Sequence, residues 1–144
     1  MKDTGIDGFR IDTVKHVNLE FWQQFAPELE GYAASIGNED FFMFGEVFEG
    51  DPAFTSRYTT KGRMQAVLDF PFQGAARAYA SQGASATRLR DVFAADDRYI
   101  DADSNAYSLP TLLGNHDMGR IGYFLKKSAD AQAVSYTHLR AHET

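Results

Sequence analysis

Three acids close short apolar runs, and one of them has an arginine two positions before it. Gly8-Phe9-Arg10-Ile11-Asp12-Thr13-Val14-Lys15-His16 carries Arg10 and Asp12, Phe41-Phe42-Met43-Phe44-Gly45-Glu46-Val47 delivers Glu46, and Ser108-Leu109-Pro110-Thr111-Leu112-Leu113-Gly114-Asn115-His116-Asp117 delivers Asp117 behind His116. Residues two apart on a strand point to the same side. Arg10 therefore stands beside Asp12, and its guanidinium favours the ionised carboxylate that a nucleophile or charge-stabilising group needs. An isolated Arg-x-Asp is more often a structural ion pair than a catalytic one. Three carboxylates at one mouth, one with an arginine and one with a histidine, suit a transition state carrying positive charge, and cleavage of a glycosidic bond has one. Asp12 fits the nucleophile. Glu46, at the end of a very apolar run, fits the acid that protonates the leaving oxygen and later activates water, because desolvation and nearby negative charge keep a carboxyl protonated. Spacing alone leaves a second role for Glu46 equally open, as an N-cap or loop carboxylate.

The runs that hold these acids are too short and too sharply punctuated for helices and read as buried parallel strands. Asp12 to Glu46 is 34 positions and Glu46 to Asp117 is 71, close to double, so a further strand-helix unit belongs between the last two. Met64-Gln65-Ala66-Val67-Leu68-Asp69 supplies its strand and the stretch 72–81 its helix. A strand, crossover helix and return strand need about 30 residues or more. The expected fold is α/β: about four consecutive parallel strand-helix units of a (β/α)8 TIM barrel, truncated at both ends, with the acids at the C-terminal strand ends where such barrels do chemistry. Asn18 is placed to cap a helix running toward Ile36 with Leu19, Trp22, Phe25 and Leu29 on one face, and Pro27 is expected to kink or restart it. A loop is expected over 48–62, a helix over 86–96 and a polar loop over 96–105. Asp69 reads as an acid that satisfies local backbone donors at its strand end, and Asn115 as a residue that orients the loop carrying Asp117.

The chain has 144 residues, 44% apolar content and a net charge of −6, an ordinary composition for one globular domain. Its 14 basic residues are scattered without a stripe, which argues against nucleic acid as a partner. No cysteine is present, so disulfides, thiolate metal sites and thiol catalysis are excluded without assigning a compartment. Neither a leader-like apolar segment at the start nor a membrane span is visible, and localisation stays open between secreted, periplasmic and cytoplasmic. The oligomeric state is equally open. Residues 1–127 read as part of a barrel domain, and 128–144 as a truncated helix end and a non-native tail whose last ten residues resemble translated adaptor sequence. His138 and His142 lie four apart in that tail, but with no third ligand they read as a chance pair rather than a zinc site.

In order and spacing, Gly8 to His16, Phe44-Gly45-Glu46-Val47 and Leu113 to Asp117 resemble three blocks of the α-amylase family of glycoside hydrolases, those of barrel strands four, five and seven. The resemblance covers about residues 5 to 127. It implies a retaining hydrolase of α-glucans such as starch and maltooligosaccharides, working through a covalent glycosyl-enzyme intermediate, with transglycosylation as the neighbouring activity. Asp12 is then the nucleophile, Glu46 the general acid/base and Asp117 the third carboxylate, which binds sugar hydroxyls and stabilises the transition state. Asp12 and Glu46 are expected about 5 to 5.5 Å apart. Arg10, Lys15, His16 and His116 are implied as substrate-binding companions. Calcium is implied for the full-length parent only, with the backbone carbonyl of His16 as one ligand. Phe48, Tyr58 and Phe72 are candidates to stack on sugar faces, although most of the 12 phenylalanines must serve the core. Two rival readings remain: an amylase-like scaffold that binds carbohydrate without cleaving it, and a metal-dependent hydrolase using His116, Asp117 and Asp12. The chain alone is expected to be inactive, because part of a barrel exposes sheet edges and the face that should line the closed core.

Overall fold

The computed structural model describes residues 1–125; positions 126–127 of the expected barrel part, the 128–144 helix end and tail, His138 and His142 lie outside the described residues. Strands β1 (Gly8–Ile11), β2 (Phe42–Gly45) and β3 (Ala66–Val67) form one parallel sheet in that order. The pairing sets Gly8 opposite Phe42, Arg10 opposite Phe44 and Gly45 opposite Val67. Partners in register share a face, so Arg10, Phe42 and Phe44 project to one side of the sheet and Phe9, Met43 and Val67 to the other.

The second side is the core. Helix α1 (Leu19–Ser35) lays Trp22, Ala26 and Ala33 against it, where they join Val14, Phe41, Met43, Val47, Met64 and Val67 in one buried cluster. The indole N–H of Trp22 donates to the carbonyl of Val14 at 3.1 Å, which satisfies the one polar atom that this ring brings inside. Pro27 neither stops nor restarts the helix, which is assigned unbroken over 17 residues. The carbonyl that a proline at 27 deprives of its partner belongs to Gln23, which is on the exposed face and can turn to water. Asn18 occupies the cap position but makes no side-chain capping bond.

Two further helices have their starts written in the sequence. Helix α2 (Pro52–Thr60) replaces most of the loop expected over 48–62: Asp51 caps it by accepting from the Ala53 N–H at 2.9 Å, and Pro52 needs no partner for a missing donor. Helix α3 (Phe70–Gln82) is built the same way, with Asp69 accepting from the Phe72 N–H at 3.0 Å and Pro71 in the first turn. Asp69 is thus the local acceptor that its position suggests, and burial pushes its carboxyl above the ordinary range. The helix expected over 86–96 is shorter, α4 (Thr87–Phe93). In the stretch expected as polar loop, Asp96–Tyr99 forms a 3-10 turn that buries Tyr99. Helix α5 (Ile121–Leu125) ends the described part.

The largest departure concerns the fourth strand. Ser108 to Leu113 forms none: a 3-10 turn, Ala106–Ser108, leads into irregular chain. The neighbour it should pair with, β3, is two residues long, and Pro110 brings no N–H to a ladder. One rung forms regardless, from the Asp69 N–H to the Pro110 carbonyl at 3.1 Å, and the Gln73 amide holds the Leu113 carbonyl at 3.2 Å. The sheet therefore has three strands where four were expected. No described helix is long and apolar enough to cross a membrane.

Gly45 shows how tightly the core meets the end of β2. A Cβ there would stand 2.8 Å from Met64 Cε and 2.9 Å from Val14 Cγ2. Val14 is fully buried and cannot yield. Gly45→Ala is expected to destabilise the fold by about 1 to 3 kcal/mol, the usual cost of overpacking, read as a lower urea midpoint at unchanged slope.

Candidate active site

The site grows out of the ends of β1 and β2. The backbone continues to pair past both strands: the Glu46 N–H donates to the Ile11 carbonyl at 2.7 Å, and the Val14 N–H to the Glu46 carbonyl at 3.0 Å. These bonds put Asp12 alongside Glu46. Arg10, on the same face two residues earlier, then reaches both acids: Nη1 lies 2.7 Å from Asp12 Oδ1 and Nη2 lies 3.4 Å from Glu46 Oε2. The Thr13 N–H also donates to Glu46 Oε2, at 3.2 Å.

The two carboxyls have different surroundings. The Asp12 side chain is 59% exposed and that of Glu46 only 9%. The Arg10 hydrogen bond, then hydrogen bonding from the Glu46 carboxyl, hold Asp12 below the ordinary aspartate range, and His116 adds a weaker electrostatic pull in the same direction. An exposed carboxylate held ionised beside a nearly buried carboxyl matches the division between an attacking group and a proton carrier.

The third acid comes from the irregular chain before α5. Asn115 Oδ1 accepts from the N–H groups of Asp117 at 2.9 Å and Met118 at 3.2 Å, folding the loop as its position in the sequence suggests. His116 Nε2 lies 3.3 Å from Asp117 Oδ2, and both side chains are open to solvent. A hollow of about 320 Å³ is lined by Asp12, Glu46 and Asp117 together with Lys15, His16 and His116, all expected at the site, and by Thr13 and Phe48. Arg10 is not in its wall and stands behind the two acids that it bridges.

Lys15 has a definite partner: Nζ donates to the Phe48 carbonyl at 2.6 Å and lies 5.9 Å from the centre of that ring. Of the aromatics considered for stacking, Phe48 reaches the hollow, half exposed and edge-on to Phe70. Tyr58 is buried in the core, and Phe72 faces a separate apolar groove beside Tyr79 and Phe93. Thr13 lines the hollow and touches Glu46 although the sequence did not single it out. Its contact with Glu46 is made by the backbone, and residue type carries no signal of that. Among the described residues no group of three or more His, Asp or Glu is placed to hold a metal ion, so Asp12, His116 and Asp117 do not form the metal set of the rival reading.

Acids gathered on one side at the C-terminal ends of parallel strands are the arrangement of a catalytic (β/α)8 barrel, and the three strands are consistent with part of one. The chain belongs to the alpha-amylase catalytic-domain family, which it matches over residues 1–142. It is 60% identical over 129 residues to an alpha-amylase of Streptomyces lividans, covering 90% of this chain and 14% of that protein. A cyclomaltodextrin glucanotransferase of Klebsiella oxytoca is 29% identical over 144 residues, covering 88% of this chain and 20% of the relative. Among solved structures, the alpha-amylase of Geobacillus thermoleovorans complexed with acarbose superposes with a TM-score of 0.71 at 36% identity, covering 88% of this chain and 27% of that one. The chain thus spans well under a third of the length of these relatives.

Arg10 holds Asp12 below its unfolded value, so this interaction contributes stability above the ordinary aspartate range and loses it as the pH falls through the lowered value. Arg10→Gln is expected to move the Asp12 titration upward, toward 3.8, followed by carbon NMR of the carboxyl. The variant should be less stable than the parent chain near neutral pH, and the difference should shrink in acid.

Proposed function

We propose that the protein to which this chain belongs is a retaining glycoside hydrolase of α-glucans such as starch and maltooligosaccharides. The observation that carries this reading is the Arg10 guanidinium spanning Asp12 and Glu46, because one cation ties a nucleophile-type carboxylate to a nearly buried carboxyl on one wall of a sugar-sized hollow. Asp12 attacks the anomeric carbon while Glu46 gives its proton to the departing glycosidic oxygen, leaving a glycosyl-Asp12 ester. Glu46 then takes a proton from the incoming water, which attacks the same carbon and frees Asp12. Both acids within reach of one guanidinium support the short spacing of a retaining pair over the wider spacing that leaves room for a water. Asp117, with His116, binds sugar hydroxyls; Lys15 and His16 border the leaving-group side. β1, β2 and the 108–117 segment would be barrel strands four, five and seven, with β3 as six.

The cyclomaltodextrin glucanotransferase among the relatives favours one second reading, an α-glucan transglycosylase in which a sugar hydroxyl replaces water at the second step. Among the described residues no group of three acids or histidines is assembled to hold a calcium ion with the His16 carbonyl. The chain by itself is proposed to be inactive. Phe42 and Phe44 stand on the face opposite the core with Phe42 38% exposed, a face that a closed barrel would cover.

In the full-length enzyme, Asp12→Asn and Glu46→Gln should each lower turnover of a blocked maltooligosaccharide by about 10²- to 10⁴-fold, with thermal unfolding showing the fold retained. Proton NMR of the first product should show the α-anomer. Near-normal rates in either variant, or a β-product, would overturn the proposal. The 144-residue chain assayed alone should release no product.

A further inference from the structure

Past Ile11 the pairing of β1 with β2 slips by one residue. In an unbroken parallel ladder a strand residue gives its N–H to the carbonyl of the residue before its neighbour's partner and receives from the one after, in even steps. After the Glu46 N–H has bonded to the Ile11 carbonyl, the regular donor to the Glu46 carbonyl is Thr13. Val14 makes that bond instead, at 3.0 Å. Thr13 is an extra residue, bulged out in the left-handed region at φ 53° and ψ 32°. A β-branched side chain is a true outlier there, and such strain persists only where the surroundings over-determine it. The surroundings are visible: the Thr13 carbonyl accepts from the His16 N–H at 3.0 Å, closing a 3-10 turn, and Val14 behind it is fully buried under the Trp22 bond.

The slip frees the Thr13 N–H from the ladder and turns it onto the Glu46 side chain, 3.2 Å from Oε2. Nη2 of Arg10 approaches the same oxygen at 3.4 Å. We infer that Thr13 is a positioning residue whose bulged backbone N–H, with Arg10, reserves Oε2 of Glu46 as an acceptor, so that the catalytic proton is carried on Oε1. An oxygen that accepts a hydrogen bond and faces a guanidinium is a poor seat for a proton, whereas its partner oxygen meets neither group. The bulge fixes which oxygen faces the leaving group and keeps the carboxyl from rotating. Bulges beside active sites re-aim groups in this way. This rests on the reading of Glu46 as proton carrier.

The test replaces Thr13 in the full-length enzyme by its α-hydroxy acid. The resulting backbone ester keeps the side chain and removes only the N–H. The variant is assayed on a blocked maltooligosaccharide, whose leaving group needs a proton, and on an α-maltosyl fluoride, whose leaving group departs without one. The expected result is a loss of about tenfold in kcat/KM on the oligosaccharide, with less than about twofold loss in kcat/KM on the fluoride, because kcat/KM reads the step that forms the glycosyl-Asp12 ester and not its hydrolysis. Both rates come from one preparation, so the fraction of molecules that folds cancels from their ratio. Equal losses on the two substrates, or no loss on either, would overturn the inference. Glu46→Gln is run in parallel. If it loses turnover on the oligosaccharide while the ester variant behaves as the parent, only the role of Thr13 fails. If Glu46→Gln turns over the oligosaccharide normally, the underlying assignment fails with it.

Discussion

A single guanidinium decides what this site can be. Arg10 reaches Asp12 and Glu46 at once, and it does so because strand register gives the three side chains one face. A shift of one position in the pairing of β1 with β2 would send Arg10 and Asp12 to the core side, against Met43 and Val47. The register in turn depends on packing that is distant from any chemistry: Phe9 edge-on to Phe41 on the buried face, Trp22 holding the Val14 carbonyl, and Gly45 leaving room for Met64 and Val14. The electrostatic arrangement is thus a product of apolar burial, which is non-directional but large enough to select one alignment.

The cost of bringing a cation and two carboxyls together is kept small by leaving the site half wet. Asp12 stays open to solvent and keeps its hydration, while Glu46 is withdrawn under backbone and arginine donors. A carboxylate sealed as deeply as Glu46, with no donor, would face a large desolvation penalty. The donors it has come from two different layers of the structure, a side chain of the sheet and the peptide group of the turn that follows it.

What could be read from residue types alone follows a physical rule. Apolar runs ending in acids were legible because burial on both faces leaves uninterrupted hydrophobic strands, and the Asp69-Phe70-Pro71 start of α3 was legible as an acid awaiting backbone donors. The same signature at Asp51-Pro52 opens a stretch whose threonines lower helix propensity, and tertiary packing overrides that preference in α2. Thr55 shows how: fully buried, it shares a hydrogen bond with the hydroxyl of Tyr99. The expected fourth strand failed for two reasons, of which Pro110 is visible in the sequence and the shortness of its neighbour β3 is not. Six of the seven named site residues line the hollow, because side-chain chemistry marks them. The bulge at Thr13 could not be anticipated, being a property of how two strands run out of register.

The two halves of the mouth are moored very differently. Asp12 and Glu46 follow directly on the paired strands β1 and β2, whereas Asp117 hangs from a segment tied to the sheet by a backbone bond at Pro110 and to α3 by the Gln73 amide at Leu113. Weakly moored chain opens at low energetic cost relative to the elements that hold it. The third acid is therefore held independently of the first two: movement of the segment that carries Asp117 leaves the geometry of Asp12, Glu46 and Arg10 intact.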